Sequence, residues 1–475
     1  MLLLITCIAV LILGYLLYSK LVERTILPFK DTTPATSMSD DMDYVPMSKR
    51  KNLLIELLNI AGTGPIFGAL MGAKWGPIVF IWIVGGTILG GAVHDYMCGM
   101  MSVRNGGKST SSLVHHYLGK WARYPLLILI IFVLIMVSAT FARSASDLLA
   151  SITGISTVIW VIIILIYFMA STVIPINKLI GRIYPVFGIL LILMVIAVMA
   201  GLIMGGYELP TFAFENLHPS GQEYYPDMFI TVACGAISGF HATQAPMVSR
   251  CLKDERDGRM VFYGAMVLES VIALLWATAG LAFFGDTSSL AASLGEGGAS
   301  GTVYDISSAV AGPVGAVLAV FGVIICPITS GDTALRSARM MIQDENDHRF
   351  DGKKYSLIIT CILTVPIVLL CSIDFTVLWN YFSWLNQTMA CVMLWTATVF
   401  LLRTVHHRRY ALITALPAIF MTMVVSTFIL HSSLGLALDY GLSLIIGLVL
   451  TVTVSVLFTK YYVIGSDRTV GDTTN

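Results

Sequence analysis

"NIAGTGPIFGALMG", Asn59 to Gly72, is the stretch whose reading decides the fold. By motif alone, Gly62, Gly64 and Gly68 look like a dinucleotide fingerprint, a glycine-rich turn that feeds a pyrophosphate onto a helix start. Such a turn needs a strand before it and a soluble βαβ unit of about 30 residues around it, and neither is present. The alternative is a membrane helix interrupted midway. Ala61-Gly62-Thr63-Gly64-Pro65 joins two helix-weakening glycines to a proline that removes a donor and clashes with the preceding turn. The helix is therefore expected to open near residues 61 to 64. Gly64, Gly68, Gly72 and Gly76 also recur every four residues, as in a close helix-packing face. Packing alone accounts for the glycines but not for Pro65, and both readings can hold on different faces.

Composition favours the membrane. Of 475 residues, 57% are hydrophobic and 12% charged, against roughly 25% charged in soluble domains, and the mean hydropathy is +0.84. The balance of 28 basic and 28 acidic residues points to no nucleic-acid partner. The eight cysteines form no CxxC pair and no ligand spacing with histidine, so neither a disulfide framework nor a metal site is expected. HExxH, GxSxG and haem-attachment patterns are lacking, which argues against an enzyme. No cofactor is expected beyond a coupled proton or sodium ion; oligomeric state is open.

A span needs about 20 apolar residues. Thirteen are expected, near 2–19, 53–72, 76–101, 124–150, 156–174, 183–206, 228–247, 260–284, 304–329, 354–371, 375–402, 410–431 and 438–460. The first, with basic residues after it rather than before, reads as a retained helix and not a secretory signal. Loops after the odd-numbered spans one to eleven, with the C-terminal tail, hold 26 of the 28 Lys and Arg. Because basic loops resist translocation, the N-terminus is expected outside and the C-terminus in the cytoplasm.

Span seven, "TVACGAISGFHATQAP", is a second interrupted helix, through Gly235, Ser238, Gly239, His241 and Pro246. It follows span two by five, an odd number, so the two run in opposite senses. Discontinuous helices in matching positions of inverted halves point to a secondary transporter with its site at the midplane. Freed amides there favour an anionic solute group and freed carbonyls a cation.

The stretches "DDMDYVPMSKR" (40–50), "IAGTGP" (60–65), "LGGAVHDYM" (89–97), "FITVACGAISGFHA" (229–242), "YGAMVLES" (263–270), "ITSGDTALRSARMMIQD" (328–344) and "NQTMA" (386–390) closely resemble the carbon starvation protein A family. The chain departs from many members in having "ELLNIAGTGP" where they carry a pair of histidines before this motif. The resemblance implies a transporter of small carboxylates such as pyruvate, or of peptides, in a bacterial inner membrane. It also implies an all-α, leucine-transporter-like fold of two inverted five-helix repeats, at 51–206 and 207–402. Residues 1–50 would be a peripheral helix and cytoplasmic loop, and 403–475 two peripheral helices and a tail.

On this reading solute meets Ala61, Gly62, Thr63 and Gly64 of the first break, Cys234, Gly235, Ser238, Gly239 and His241 of the second, and Asn386 and Gln387 of span eleven. In sodium-coupled relatives of the fold, hydroxyls on the eighth core helix complete a cation site with carbonyls of the first broken helix. Thr329 and Ser330 fit that place, beside Asp332 and Thr333, with Asn59 and Glu269 as further coupling candidates. Alternatively, Thr329 and Ser330 bond their own backbone and Asp332 pairs with Arg336 one turn on. His241 suits a proton relay or a satisfied core group, and His94 and Asp95 lie near the inner end of span three, where Asp95 reads as structural. Arg143, paired with Asp147, can receive a carboxylate through its planar fork or simply neutralise its partner. Asp41, Asp43 and Arg50 form either an inner gate or a solvated helix cap, and Trp379, Tyr381 and Trp384 a gate or an interfacial belt.

Overall fold

In hydrocarbon every backbone amide and carbonyl has to find a partner within the protein, and the α-helix does so with local bonds alone. The computed structural model describes residues 1–40, 43–172, 176–345, 352–405 and 407–464, and among these every regular element is a helix, with a single backbone bridge between Met47 and Leu252. In chain order the helices are α1 (Leu2–Ile26), α2 (Lys49–Ile60), α3 (Gly64–Trp75), α4 (Val79–Arg104), α5 (Thr110–Leu118), α6 (Lys120–Thr153), α7 (Thr157–Ser171), α8 (Ile176–Met204) and α9 (Asp227–Thr231). There follow α10 (Gly239–Ser249), α11 (Glu255–Phe284), α12 (Thr287–Glu296), α13 (Gly298–Val320), α14 (Cys326–Glu345), α15 (Lys353–Leu370), α16 (Phe375–Thr404), α17 (Arg408–His431) and α18 (Tyr440–Val463).

Among the described residues nine helices are long and apolar enough to cross a bilayer, or ten when α2 and α3 count as one bent span. The sequence reading gives thirteen. Its other three segments are helical but short or interrupted. Helix α7 has only 15 residues, residues 232–238 separate α9 from α10, and Gly312 takes a non-helical conformation within α13 ahead of α14. Helix α14 also buries Thr329, Ser330, Asp332, Thr333 and Arg336, so hydropathy alone does not mark it as a span.

Both expected breaks are present. The axis bends by 56° between α2 and α3. Helix α2 ends at Ile60, as the glycine and proline chemistry requires. In the second break Gly235 adopts φ +92°, which a side chain disfavours. His241 and Pro246 lie beyond the opening, inside α10. Helix α10 packs along α4 and α16, α2 lies against α8, α10 and α11, and α14 runs along α6. Helices α1 and α18 sit at the edge, mostly exposed.

The two breaks touch. A Cβ added at Gly64 would lie 2.1 Å from the Cβ of Cys234, and one at Gly235 would lie 3.6 Å from the Cα of Pro65. Gly64→Ala is therefore expected to cost about 1–3 kcal/mol through overpacking. Thermal unfolding in detergent, followed by tryptophan fluorescence, should show a lower Tm for Gly64→Ala that Cys234→Gly largely recovers; an unchanged Tm in the single variant contradicts this contact.

Candidate functional site

An interrupted helix leaves carbonyls at the end of its first half and amides at the start of its second. Other helices supply partners here. The Ser330 hydroxyl of α14 reaches the carbonyls of Leu58 and Asn59 at 3.3 and 3.2 Å. At the second break, the Asn386 side chain of α16 accepts from the Phe240 amide at 2.6 Å and donates to the Ser238 hydroxyl at 3.0 Å. Asn386 thus caps α10 from a neighbouring helix, a service normally rendered by the residue at the helix start itself.

Beneath these breaks lies a cluster of titratable groups. His241, in the first turn of α10, shares a hydrogen bond of 2.8 Å through Nδ1 with Asp95 of α4. The other Asp95 oxygen is 2.8 Å from His94 Nδ1. His241 Nε2 stands 3.5 Å from the Glu269 carboxylate of α11. Glu56 of α2 faces the same group, close enough for its charge to interact with Asp95, His241 and Glu269. All five side chains are at most 1% exposed. Three carboxylates bring three negative charges, so the cluster is neutral when three protons are spread over its three carboxylates and two imidazoles. Because unpaired buried charge is costly, a change in that number has to be matched by another charge entering or leaving. The donor atoms of Cys234, His241 and Glu269 also lie within 4.8 Å of one another. They are the residues that could converge on a soft cation, with one His241 nitrogen already committed to Asp95.

Of the expected solute-binding residues, Gly64 meets Cys234, Gly235 lies against Pro65, and Cys234, Ser238 and Gly239 meet Asn386; Gly62 lies by Ser330, Ala61 and Thr63 are buried in the first break, and His241 belongs to the titratable cluster. Gln387 turns away, donating to the Phe229 carbonyl of α9 at 3.1 Å. Phe141 of α6 closes over Gly62, whose added Cβ would lie 2.8 Å from that ring, and Phe141 stands edge-on to Phe240 and Phe382.

Of the coupling candidates, Ser330 joins α14 to the freed carbonyls. Thr329 donates to the carbonyls of Ile325 and Cys326 one turn back, and Thr333 to that of Ser330. Asp332 faces α7, where the Ser171 hydroxyl donates to it and Arg336 reaches the Ser171 carbonyl at 2.5 Å. Asn59 is fully buried beside the break, and Glu269 belongs to the histidine cluster.

Asp41 lies outside the described residues. Asp43 donates its amide to Asp40 in a local turn, and Arg50 is exposed. At this end of the bundle the helices are tied instead by Arg250–Asp344 at 3.2 Å, Lys49–Asp257 at 3.3 Å and the Met47 amide on the Cys251 carbonyl at 3.0 Å. At the opposite end Arg143 pairs with Asp147 and donates to the Cys371 carbonyl at 2.8 Å, fixing α6 to the end of α15. Trp379 packs on Phe67 of α3 at 6.0 Å, whereas Tyr381 and Trp384 bond the carbonyls of Leu434 and Val425 on the other side of α16.

Sequence reasoning passed over Glu56, and it placed Asp95 too close to water. Helix α4 runs on to Arg104, which sets Asp95 about 14 Å along the axis from that end, and the second half-helix covers it. The available signal for Glu56 was an acid in an otherwise apolar half-helix, four residues after Asn52 and three before Asn59.

Two opened helices meeting over a buried titratable cluster, inside a bundle of apolar helices, define a membrane transporter of the leucine-transporter type. The chain belongs to the carbon starvation protein CstA family, whose profile it matches over residues 1–154, 144–280 and 285–428. An uncharacterised membrane protein of Haemophilus influenzae is 37% identical over 346 residues, which are 61% of this chain and 93% of its own. The "Peptide transporter CstA" of Helicobacter pylori strain J99 is 26% identical over 55% of this chain and 48% of its own. The "Pyruvate/proton symporter BtsT" of Escherichia coli K12 is 26% identical over 57% and 47%. The matches thus span about half the length of these two named relatives, which are transporters and not enzymes. In fold the chain is similar to MhsT in complex with L-phenylalanine, with a TM-score of 0.60 at 13% identity over 82% of this chain and 99% of that one. A manganese transporter of Eremococcus coleocola gives 0.55 at 13% identity, over 91% and 99%.

The cap makes a prediction. Removing it in Asn386→Ala should cost about 1–2 kcal/mol and lower the Tm in detergent. Asn386→Asp, which keeps an acceptor at a helix start that favours negative charge, should lose less; equal losses would show that capping is not what Asn386 does.

Proposed function

We propose that this chain imports a small carboxylate or a peptide into a bacterial cell by alternating access, coupled to the proton gradient. One observation carries this: His241, in the first turn of a half-helix, is bonded to Asp95 and faces Glu269 where the two breaks meet. The amide ends of α3 and α10 converge there and suit an anionic solute group. The cluster beside them holds the protons whose number has to change as charge enters. The pyruvate/proton symporter and the peptide transporters among its relatives support the solute class.

On this proposal all thirteen segments cross the inner membrane, with the N-terminus outside and the C-terminus in the cytoplasm. Residues 51–206 and 207–402 form the inverted five-helix repeats, and 1–50 and 403–475 lie at the periphery. One observation favours sodium instead. Ser330 and the carbonyls of Leu58 and Asn59 gather hard oxygens of the kind a small cation takes.

Proteoliposomes loaded against labelled pyruvate, an amino acid or a dipeptide, under imposed proton or sodium gradients, decide between these. An inward proton gradient should drive saturable accumulation of pyruvate or the dipeptide, with counterflow that a channel would not show. Asp95→Asn should cut gradient-driven uptake by about a hundredfold, the scale of a lost proton-transfer group. Accumulation that follows only the sodium gradient would move the coupling site to Ser330, and no uptake of any of the three overturns the reading.

A further inference from the structure

Along half-helix α2, Asn52, Glu56 and Asn59 stand at spacings of four and three residues, which places them on one face, and Thr63 follows in the break. All four are at most 1% exposed. Their polar atoms are largely unpartnered: Oδ1 of Asn52, both carboxylate oxygens of Glu56, both side-chain polar atoms of Asn59 and the Thr63 hydroxyl. Across the seam, Gln244 of α10 leaves its Oε1 unpartnered, and Glu269 of α11 leaves both oxygens so. Native interiors rarely leave so many polar atoms in one place without a partner, and ordered water is the usual one.

The seam also contains space. A cavity of about 10 Å³ lies between Asn52 and Asn59 on one side and Met247, Val248 and Cys251 on the other, which is near the lower limit for one water. From Asn52 to Asn59 the stripe rises about 10 Å, about a third of a hydrocarbon core of about 30 Å, and Thr63 lies beyond it in the break. Its lower end is beside the inner closure, where Asn52 donates to the Cys251 carbonyl at 3.0 Å. Its upper end is the break. The charged and titratable groups facing Glu56 are Asp95 and Cys98 from α4, His241 from α10 and Glu269 from α11.

We infer that the Asn52–Glu56–Asn59–Thr63 stripe is the cytoplasmic half of an intramembrane proton path, with Glu56 as the carrier between the histidine cluster and water at the inner face. A proton leaves His241 or Glu269 as its N–H or O–H bond breaks. Carried across the unpartnered gap by intervening water, it forms an O–H bond on Glu56, and passes from there to water held by Asn59 and Asn52. Nothing else is consumed. The stripe runs along the seam that has to open for the inner gate to release solute, so proton release and solute release share one opening. This rests on the proposed proton-coupled transport, and it adds a residue and a route which that proposal does not require.

The test uses the full chain in proteoliposomes and reads two quantities. The first is the protonated-carboxyl stretch in infrared difference spectra on shifting internal pH with external pH fixed. Wild type should show a band that titrates with internal pH and is lost in Glu56→Gln. The second is transport. Glu56→Gln should cut gradient-driven accumulation by about a hundredfold while lowering solute-for-solute exchange far less, and Glu56→His, which can still carry a proton, should restore accumulation. Asn59→Leu, which blocks the water position and keeps the carboxyl, should slow accumulation and remove its dependence on internal pH. Full accumulation in Glu56→Gln overturns the inference. So does a parallel loss of exchange and accumulation in Glu56→Gln and Glu56→His alike, which marks a structural role. If wild type accumulates no solute in a proton gradient, the transport proposal fails instead. The infrared band then decides whether cytoplasmic protons reach Glu56.

Discussion

A helix opened in hydrocarbon can persist only where neighbouring helices bond the backbone groups it frees, since each unsatisfied group there costs several kcal/mol. Two side chains answer that constraint. Ser330 takes up the carbonyls at the end of α2, and Asn386 caps the amide start of α10. Each stands on a helix outside the broken pair. The breaks are thus held by α14 and α16, and any shift of those helices relative to α2 and α10 also changes how well the openings are satisfied. That gives rocking of one part of the bundle against another a direct handle on the centre.

The constraint explains why so much of this fold was legible in sequence. Glycine and proline state where a helix opens, and lysine and arginine mark the ends of spans, so residues 61–64 and the Gly235–Ser238 region were found without coordinates. Asn386 was found as well, though its task is to cap α10. What sequence could not state is rotation. Asp332 and Ser330 are two residues apart, yet one faces α7 and the other α2. Asp95 joins His241 only because α10 lies across α4, a meeting of residues 146 apart. Glu56 is the single acid of α2, and the charges that act on it belong to three other helices.

Electrostatics ties the cluster to the cargo. A fully buried set of three carboxylates and two imidazoles has no bulk water to screen it, and a net charge there is expensive. On the proposed function, a solute carboxylate arriving at the amide ends of α3 and α10 would raise the cost of negative charge nearby. Taking up a proton offsets that cost. Binding of anion and proton is then mutually favourable, and linkage makes the effect reciprocal. No direct contact between solute and proton is needed, only closeness inside a medium of low dielectric.

The contact of Gly64 with Cys234 adds a mechanical condition. With no side chain at Gly64, the two openings approach to backbone distance, and Pro65 lies against Gly235. At that separation they cannot slide past one another without steric cost, because packed interiors have discrete arrangements and do not deform continuously. On the proposed alternating access, what moves is therefore what surrounds the contact. At one end that means the pairs Arg250–Asp344 and Lys49–Asp257 and the Met47–Cys251 bond; at the other end it means Trp379 over Phe67 and Arg143 on the end of α15. A fixed centre between two separately held closures lets each open while the other holds, and the glycine that first suggested a nucleotide turn is what keeps that centre narrow enough to serve both.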